Sequence, residues 1–165
     1  MSDPARIEAC RRIVTRLYPL ILAQVWRPTT ANPLEGHDSW NAERPWCGQS
    51  GSTSWLVRKR LGGAIVFTDH WPHRHFYNRF PDGTYVDFVR TLATGIAYPN
   101  TRAADEAAYL ASEIGIEERG ELLDFSFSAI LRSAHFGDDP SGLRLEEAEL
   151  ILRVHNQAPP HVDPG

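Results

Sequence analysis

The spacing of apolar residues near the start of the chain predicts an amphipathic helix. Between Ser2 and Tyr18 the apolar positions recur every three or four residues, as on one face of an α-helix, and they are Ile7, Cys10, Val14, Leu17 and Tyr18. Asp3 can cap this helix, and Pro4 fits its first turn. Because Cys10 lies on the apolar stripe, we expect it to be a buried core residue rather than a reactive thiol.

A second helix is predicted after a long irregular connection. Prolines, asparagines and glycines are scattered between residues 27 and 48, and a connection of this length usually lines a site or covers a core. Three tryptophans are expected to anchor it: Trp26, Trp40 and Trp46. From Gln49 to Leu61 the pattern is helical, with basic residues near the C-terminal end and two glycines after it.

The next segments predict a β-meander. The stretches AIVFT, HRHFYNRF and TYVDFVRT, which begin at residues 64, 73 and 84, are rich in β-branched and aromatic residues. A Pro-Asp-Gly turn joins the second stretch to the third. We therefore predict three neighbouring antiparallel strands.

The last part of the chain is predicted to be helical. Three segments have capping residues and end near Gly or Asn, namely residues 101–115, 118–137 and 141–156. Residues 158–165 form a Pro-rich tail that we expect to be disordered. The pattern as a whole predicts one α+β domain over residues 1–157.

Composition and charge exclude several classes of partner. The 165 residues are 42% hydrophobic and 23% charged, as in globular proteins that bury one sizeable core. The formal net charge of −4 offers no electropositive field for nucleic acid or an anionic membrane. The N-terminal region lacks the pattern of a secretory signal, and its most apolar stretch is too short to span a bilayer. We expect a cytoplasmic protein with two free thiols.

Three polar residues have positions suited to nucleophilic catalysis. Ser50 begins the second helix, where unpaired N–H groups and the helix dipole activate a nucleophile and stabilise an oxyanion. His75 and Asp87 flank the tight turn, so we expect them on neighbouring strands where their side chains can face each other. The carboxylate would orient the imidazole, and the imidazole would act as a base toward Ser50.

Four nearby residues are weaker candidates. Gln49 is a possible amide donor to the oxyanion, and Asn78 could orient the ring or hold a neighbouring loop. Trp46 and Cys47 are candidate binding residues in the turn before the helix. Ordinary structural explanations also exist, because a serine before a helix is commonly an N-cap and an aspartate commonly binds turn backbone.

Many of these residues recur in one known order. They are Trp40, Pro45, Gly48, Gln49, Ser50, Thr53, Gly62, Gly63, His75, Phe76, Tyr77, Asn78, Arg79, Asp82, Gly83 and Asp87. Between Pro19 and Leu92 this order resembles the YunG-like family of small bacterial proteins, which is similar to papain-like cysteine hydrolases. The resemblance implies a papain-like α+β fold, with the nucleophile helix packed on a small antiparallel sheet. It also implies a hydrolase or acyltransferase that needs no cofactor and acts on an amide, thioester or peptide-like bond of a small-molecule or peptide-like substrate.

The chain departs from this family at the nucleophile. Members that look catalytic carry Cys at the position of Ser50. A hydroxyl has a much higher pKa than a thiol and cannot form the thiolate–imidazolium pair of papain-like chemistry, so a simple replacement is expected to be nearly inactive. Three accounts stay open: an engineered Cys-to-Ser change, a natural pseudoenzyme or serine variant, or transfer of the reaction to Cys47.

Two other functions compete with the hydrolase. Three imidazoles and a carboxylate are a suitable ligand set for zinc. One segment of the chain contains Asp69, His70, His73 and His75, and His37 and Cys47 lie elsewhere. If zinc were bound, His75 would be a ligand and the catalytic triad would fail. The third possibility is a non-catalytic ligand- or protein-binding module, with a groove formed by the aromatic-rich connection and the C-terminal helices.

Overall fold

The protein has an α+β architecture, as the sequence predicts. The computed structural model describes residues 3–33, 40, 42–70, 73–89, 93–94, 102–103, 115–133 and 139–157. Within these ranges the elements, in chain order, are α1 (Asp3–Val25), a 3₁₀ turn (Pro28–Thr30), α2 (Ser50–Leu61), β1 (Ala64–His70), β2 (His73–Arg79), β3 (Tyr85–Asp87), β4 (Ala93–Thr94), β5 (Arg102–Ala103), α3 (Ile116–Ser133) and α4 (Leu145–Gln157).

The first helix is longer than predicted. It continues past Tyr18 and contains Pro19, because Ile21, Leu22 and Val25 extend its buried stripe. A proline inside a helix costs about 3 kcal/mol, whereas burial of each of these side chains contributes about 1.5–3 kcal/mol, so burial wins. In the part of the chain that the structure describes, no helix combines the length and apolar character needed to cross a membrane.

The predicted meander forms the centre of an antiparallel sheet with strand order β4-β3-β2-β1-β5. β1 and β2 pair along their whole length, from Ala64 opposite Arg79 to His70 opposite His73. β3 is shorter than expected, since Phe88 and Val89 form a turn. Residues 102–103 were expected to be helical, and this is wrong: they pair with β1 as strand β5. The remainder of that predicted helix up to residue 114 lies outside the described residues.

The core lies where all four described helices meet one side of the sheet. Apolar side chains of α1, α2, α3 and α4 form one cluster with Phe80, Val86 and Phe88 from the hairpin and its ends. Cys10 is fully buried in this cluster, and burial raises the pKa of its thiol. The expected core role of Cys10 is therefore confirmed. The second and third of the helices predicted after the sheet are also confirmed, as α3 and α4, whereas the tail of residues 158–165 lies outside the described residues.

Candidate active site

Ser50 is the first residue of α2 and is buried, with 5% of its surface exposed. The chain reaches it through a tight turn in which Gln49 N–H donates to Trp46 C=O at 3.2 Å. Gly48 has a φ of 72° in this turn, which glycine adopts at little cost. The N-cap residue of the helix is Gln49 rather than Ser50.

The hydroxyl of Ser50 lies at the edge of β2. Phe80, directly after β2, donates its N–H to Thr84 C=O across the hairpin at 2.9 Å. Because N–H groups alternate in direction along a strand, those of Asn78 and Phe76 also point toward β3. β3 ends at Asp87, and Phe76 N–H instead donates to Ser50 Oγ at 3.3 Å. Because the amide nitrogen of Phe76 is two bonds from His75 Cα, Ser50 Oγ lies within about 6 Å of that Cα.

His75 and Asp87 form a close pair. His75 Nε2 lies 2.6 Å from Asp87 Oδ2, and both side chains are largely buried. The register of Asn78 opposite Val86 places Asp87 diagonal to His75 on the same face of the sheet. Val89 N–H donates to the other carboxylate oxygen of Asp87 at 3.2 Å. This bond holds the carboxylate in place beside His75.

This pairing determines which imidazole nitrogen is the acceptor. An ionised carboxylate only accepts hydrogen bonds, so in the neutral ring Nε2 carries the proton and Nδ1 is the acceptor. Nδ1 is covalently closer to the strand backbone than Nε2, and Ser50 Oγ lies beside that backbone. Within the described residues, Ser50 Oγ accepts its hydrogen bond from Phe76 N–H.

A set of buried hydrogen bonds around the 3₁₀ turn fixes the start of α2. Gln49 Nε2 donates to Arg27 C=O at 2.8 Å, and Gln49 Oε1 accepts from Thr30 Oγ1 at 2.8 Å. Ser52 Oγ and Arg119 Nη1 both donate to Thr30 C=O, at 2.8 and 3.2 Å. The side chain of Gln49 therefore ties the turn to the helix, and its role as an oxyanion donor stays a prediction.

The sequence pattern did not reveal the residues on the other side of these bonds. Arg27 and Thr30 belong to a connection without periodicity, and they act mainly through backbone carbonyls that carry no sequence signal. Arg119 lies in a predicted helix, but a buried arginine is uncommon, and helical spacing alone does not reveal it.

Asn78 and Trp46 differ from their expected positions. Asn78 is buried and its Nδ2 donates to Ser54 C=O at 3.1 Å, so it joins β2 to α2. Trp46 is 43% exposed, in contrast to Trp26 at 2%, and the expectation that Trp46 anchors the connection by burial is wrong. Cys47 is half-buried in the same turn. The predicted binding roles of Trp46 and Cys47 stay predictions.

The alternative zinc site falls mainly on residues that are not described. His37 and the side chains of Asp69, His70 and His73 lie outside the described part of the chain. Among the side chains that the structure describes, no group of three His, Cys, Asp or Glu is close enough to hold a metal ion. The zinc hypothesis therefore stays a prediction.

Comparison with known families adds one finding. The family model described as YunG protein matches residues 14–124, about two thirds of the chain. The chain belongs to the YunG protein family. The match runs from α1 into α3, so Ser50, His75 and Asp87 all lie within the YunG region, which is longer than the stretch recognised in the sequence. No curated protein and no solved structure matches the chain.

Proposed function

We propose that this YunG family member is a papain-like hydrolase or acyltransferase acting on an amide, thioester or peptide-like bond. The observation that carries the proposal is the His75–Asp87 pair, at 2.6 Å, beside a strand edge that holds the side chain at position 50. A nucleophile at a helix start, an imidazole on a strand and a carboxylate behind it are the parts of a catalytic triad.

In the proposed reaction His75 carries one proton in each half: from Ser50 to the leaving group during acylation, and from water or an acceptor back to Ser50 during deacylation. Nδ1 accepts the proton of Ser50 Oγ as this oxygen bonds to the substrate carbonyl carbon. The carbonyl π electrons then move to the carbonyl oxygen, which becomes an oxyanion. The N–H groups of the first turn of α2 stabilise this oxyanion. When the tetrahedral intermediate collapses, the leaving group takes the proton from Nδ1. Water or an acceptor then attacks the acyl-serine by the same steps in reverse, while Asp87 stays ionised.

The residue at position 50 sets the rate of this chemistry. Cysteine at this position would exist partly as a thiolate paired with imidazolium, whereas a serine hydroxyl must lose its proton during the attack. We therefore expect slow acylation of Ser50 and faster acylation of a Ser50→Cys variant.

Acylation by p-nitrophenyl acetate, an activated ester, tests the proposal. We expect peptide mass spectrometry to locate the acetyl group on Ser50, and the acetylation rate to fall at least about a hundredfold in His75→Asn, the range for loss of a general base. Ser50→Ala removes the acceptor oxygen and serves as the background. Acetylation elsewhere at the same rate in Ser50→Ala, or a rate that ignores His75→Asn while circular dichroism shows a folded protein, would overturn the proposal.

A non-catalytic binding module is the second candidate, and one observation favours it. Ser50 Oγ accepts the hydrogen bond of Phe76 N–H, which is a structural task that needs no reaction. This candidate predicts no acyl adduct on residue 50 in the natural protein or in Ser50→Cys. The hydrolase predicts an adduct in both.

A further inference from the structure

A groove of about 570 Å³ lies between α1 and the β2–β3 hairpin, on the other face of the sheet from His75 and Asp87. Val86 lines it and precedes Asp87 on β3, and successive side chains of a strand point to opposite faces. We refer to this space as the α1 groove. Its charged lining residues are three arginines and one glutamate, although the whole chain is acidic with a net charge of −4.

Two of these arginines have no close acceptor among the described residues. Arg12 and Arg16 are four residues apart on α1, where like charges repel. One terminal nitrogen of each approaches Asp139, at 3.7 and 3.9 Å, which is longer than a hydrogen bond. The same carboxylate already accepts from the N–H and hydroxyl of Ser141. Within the described residues, neither guanidinium donates a hydrogen bond.

The third arginine is also incompletely paired. Arg11 forms an ion pair with Asp82 through one terminal nitrogen, and both side chains are partly exposed to solvent. Its Nε is buried and has no hydrogen-bond partner among the described residues. Partly exposed ion pairs contribute little to stability, so a ligand carboxylate can replace one at small cost.

Apart from Thr15 and Thr84, the remaining wall of the groove is apolar. Phe80, Phe88 and Leu152 line it, and the methylene groups of the arginines extend this surface. Guanidinium groups bind carboxylates through paired hydrogen bonds, and an apolar wall favours a hydrocarbon body. A volume of several hundred Å³ is typical of small-molecule sites.

We propose that the α1 groove binds a carboxylate with a short apolar chain. The carboxylate lies at Arg12 and Arg16, with Arg11 as a further donor, and the chain packs along Phe80, Phe88 and Leu152. The site is independent of the proposed hydrolase, because none of Ser50, His75 and Asp87 lines the groove.

Isothermal titration of the full chain with sodium octanoate tests this proposal. We expect saturable binding of one octanoate per chain. Arg12→Gln/Arg16→Gln should weaken it at least about tenfold, the loss of one charge-assisted hydrogen bond. Arg132→Gln is the matched control, because Arg132 is exposed on α3 and does not line the groove, and its affinity should be unchanged. Thr15→Phe fills the groove without changing its charge, and this variant should abolish octanoate binding.

Three results would overturn the proposal. The first is an absence of saturable octanoate binding to the natural protein. The second is an equal affinity of Arg12→Gln/Arg16→Gln and Arg132→Gln, both shown to be folded by thermal melting. The third is that inorganic phosphate or 1-octanol binds as tightly as octanoate, because the proposal requires the charge and the chain together.

Discussion

At the scale of single residues, the site combines one contact that the sequence could predict with one that it could not. A tight turn fixes the register of its two strands, so His75 and Asp87 could be expected on the same face. The partner of Ser50 depends on where β3 ends, and this is decided by the turn at Phe88 rather than by any local pattern. Ser50 Oγ therefore accepts a backbone N–H that a longer strand would have paired.

Ser50→Ala tests this contact directly. The substitution removes the acceptor of Phe76 N–H, so the free energy of unfolding should fall by about 1–3 kcal/mol, the cost of a buried group left unpaired. Hydrogen exchange followed by NMR should show faster exchange at Phe76. Asn78 N–H, which points toward β3 in the paired part of β2, is the internal control. Unchanged protection at Phe76 would show that Ser50 Oγ is not its acceptor.

At the scale of elements, the sequence predicted each long helix and each strand of the meander, because these depend on local periodicity and turn residues. It did not predict β4 and β5, which are two residues each: β4 pairs with the preceding strand β3, and β5 pairs with β1, which is distant in sequence. It also ended α1 at Tyr18, because a proline is a local stop signal while the burial that overrides it is tertiary. Boundaries were thus predictable where local and tertiary preferences agree.

The contact between α2 and α3 also depends on a residue that no pattern singled out. Gly120 of α3 faces Trp55 of α2, and a Cβ at Gly120 would lie 2.8 Å from Trp55 Cβ and closer still to its ring. Only glycine allows this approach.

Gly120→Ala should therefore destabilise the protein although alanine favours helices. The gain in helix propensity is about 1 kcal/mol, while the overlap forces a displacement of α2 or α3 that costs about 1–3 kcal/mol. Because the two terms oppose each other, urea unfolding should show a net loss of up to about 2 kcal/mol. Ser126→Ala on the same helix is the control and should leave stability within about 0.5 kcal/mol. A more stable Gly120→Ala variant would contradict the close packing.

At the scale of the whole molecule, one buried polar network joins all four described helices. Arg60 of α2 donates to Asp124 of α3 at 2.7 Å and to Glu149 of α4 at 3.1 Å. The hydroxyl of Tyr18, from α1, donates to Glu149 as well. Helical periodicity could not reveal this network, because each member occupies one position on a different helix.

Burial raises the pKa of Glu149, although Arg60 and Tyr18 oppose that effect. A raised pKa means that the folded state binds the proton more tightly than the unfolded state. The contribution of Glu149 to stability is therefore complete below the ordinary glutamate pKa, and it is lost as pH rises through the pKa of Glu149 in the folded protein.

Glu149→Gln removes this titration and keeps the shape of the side chain. The natural protein should have its largest advantage in unfolding free energy over the variant near pH 4, and the advantage should shrink as pH rises toward about 8. Contributions from other carboxylates cancel in the difference. Urea unfolding of both proteins across this pH range measures the difference in their free energies of unfolding. An advantage of the unsubstituted protein that grows with pH would contradict the raised pKa of Glu149.

The central claim is that His75 acts on the side chain at position 50. Alkylation of Ser50→Cys/Cys47→Ser by iodoacetamide as a function of pH tests it most directly, with Cys47→Ser as the background that retains only buried Cys10. The account predicts rapid labelling of position 50 below the ordinary cysteine pKa, and a rate near neutral pH at least about tenfold lower after His75→Asn. Equal rates and equal pH profiles with and without His75 would contradict it.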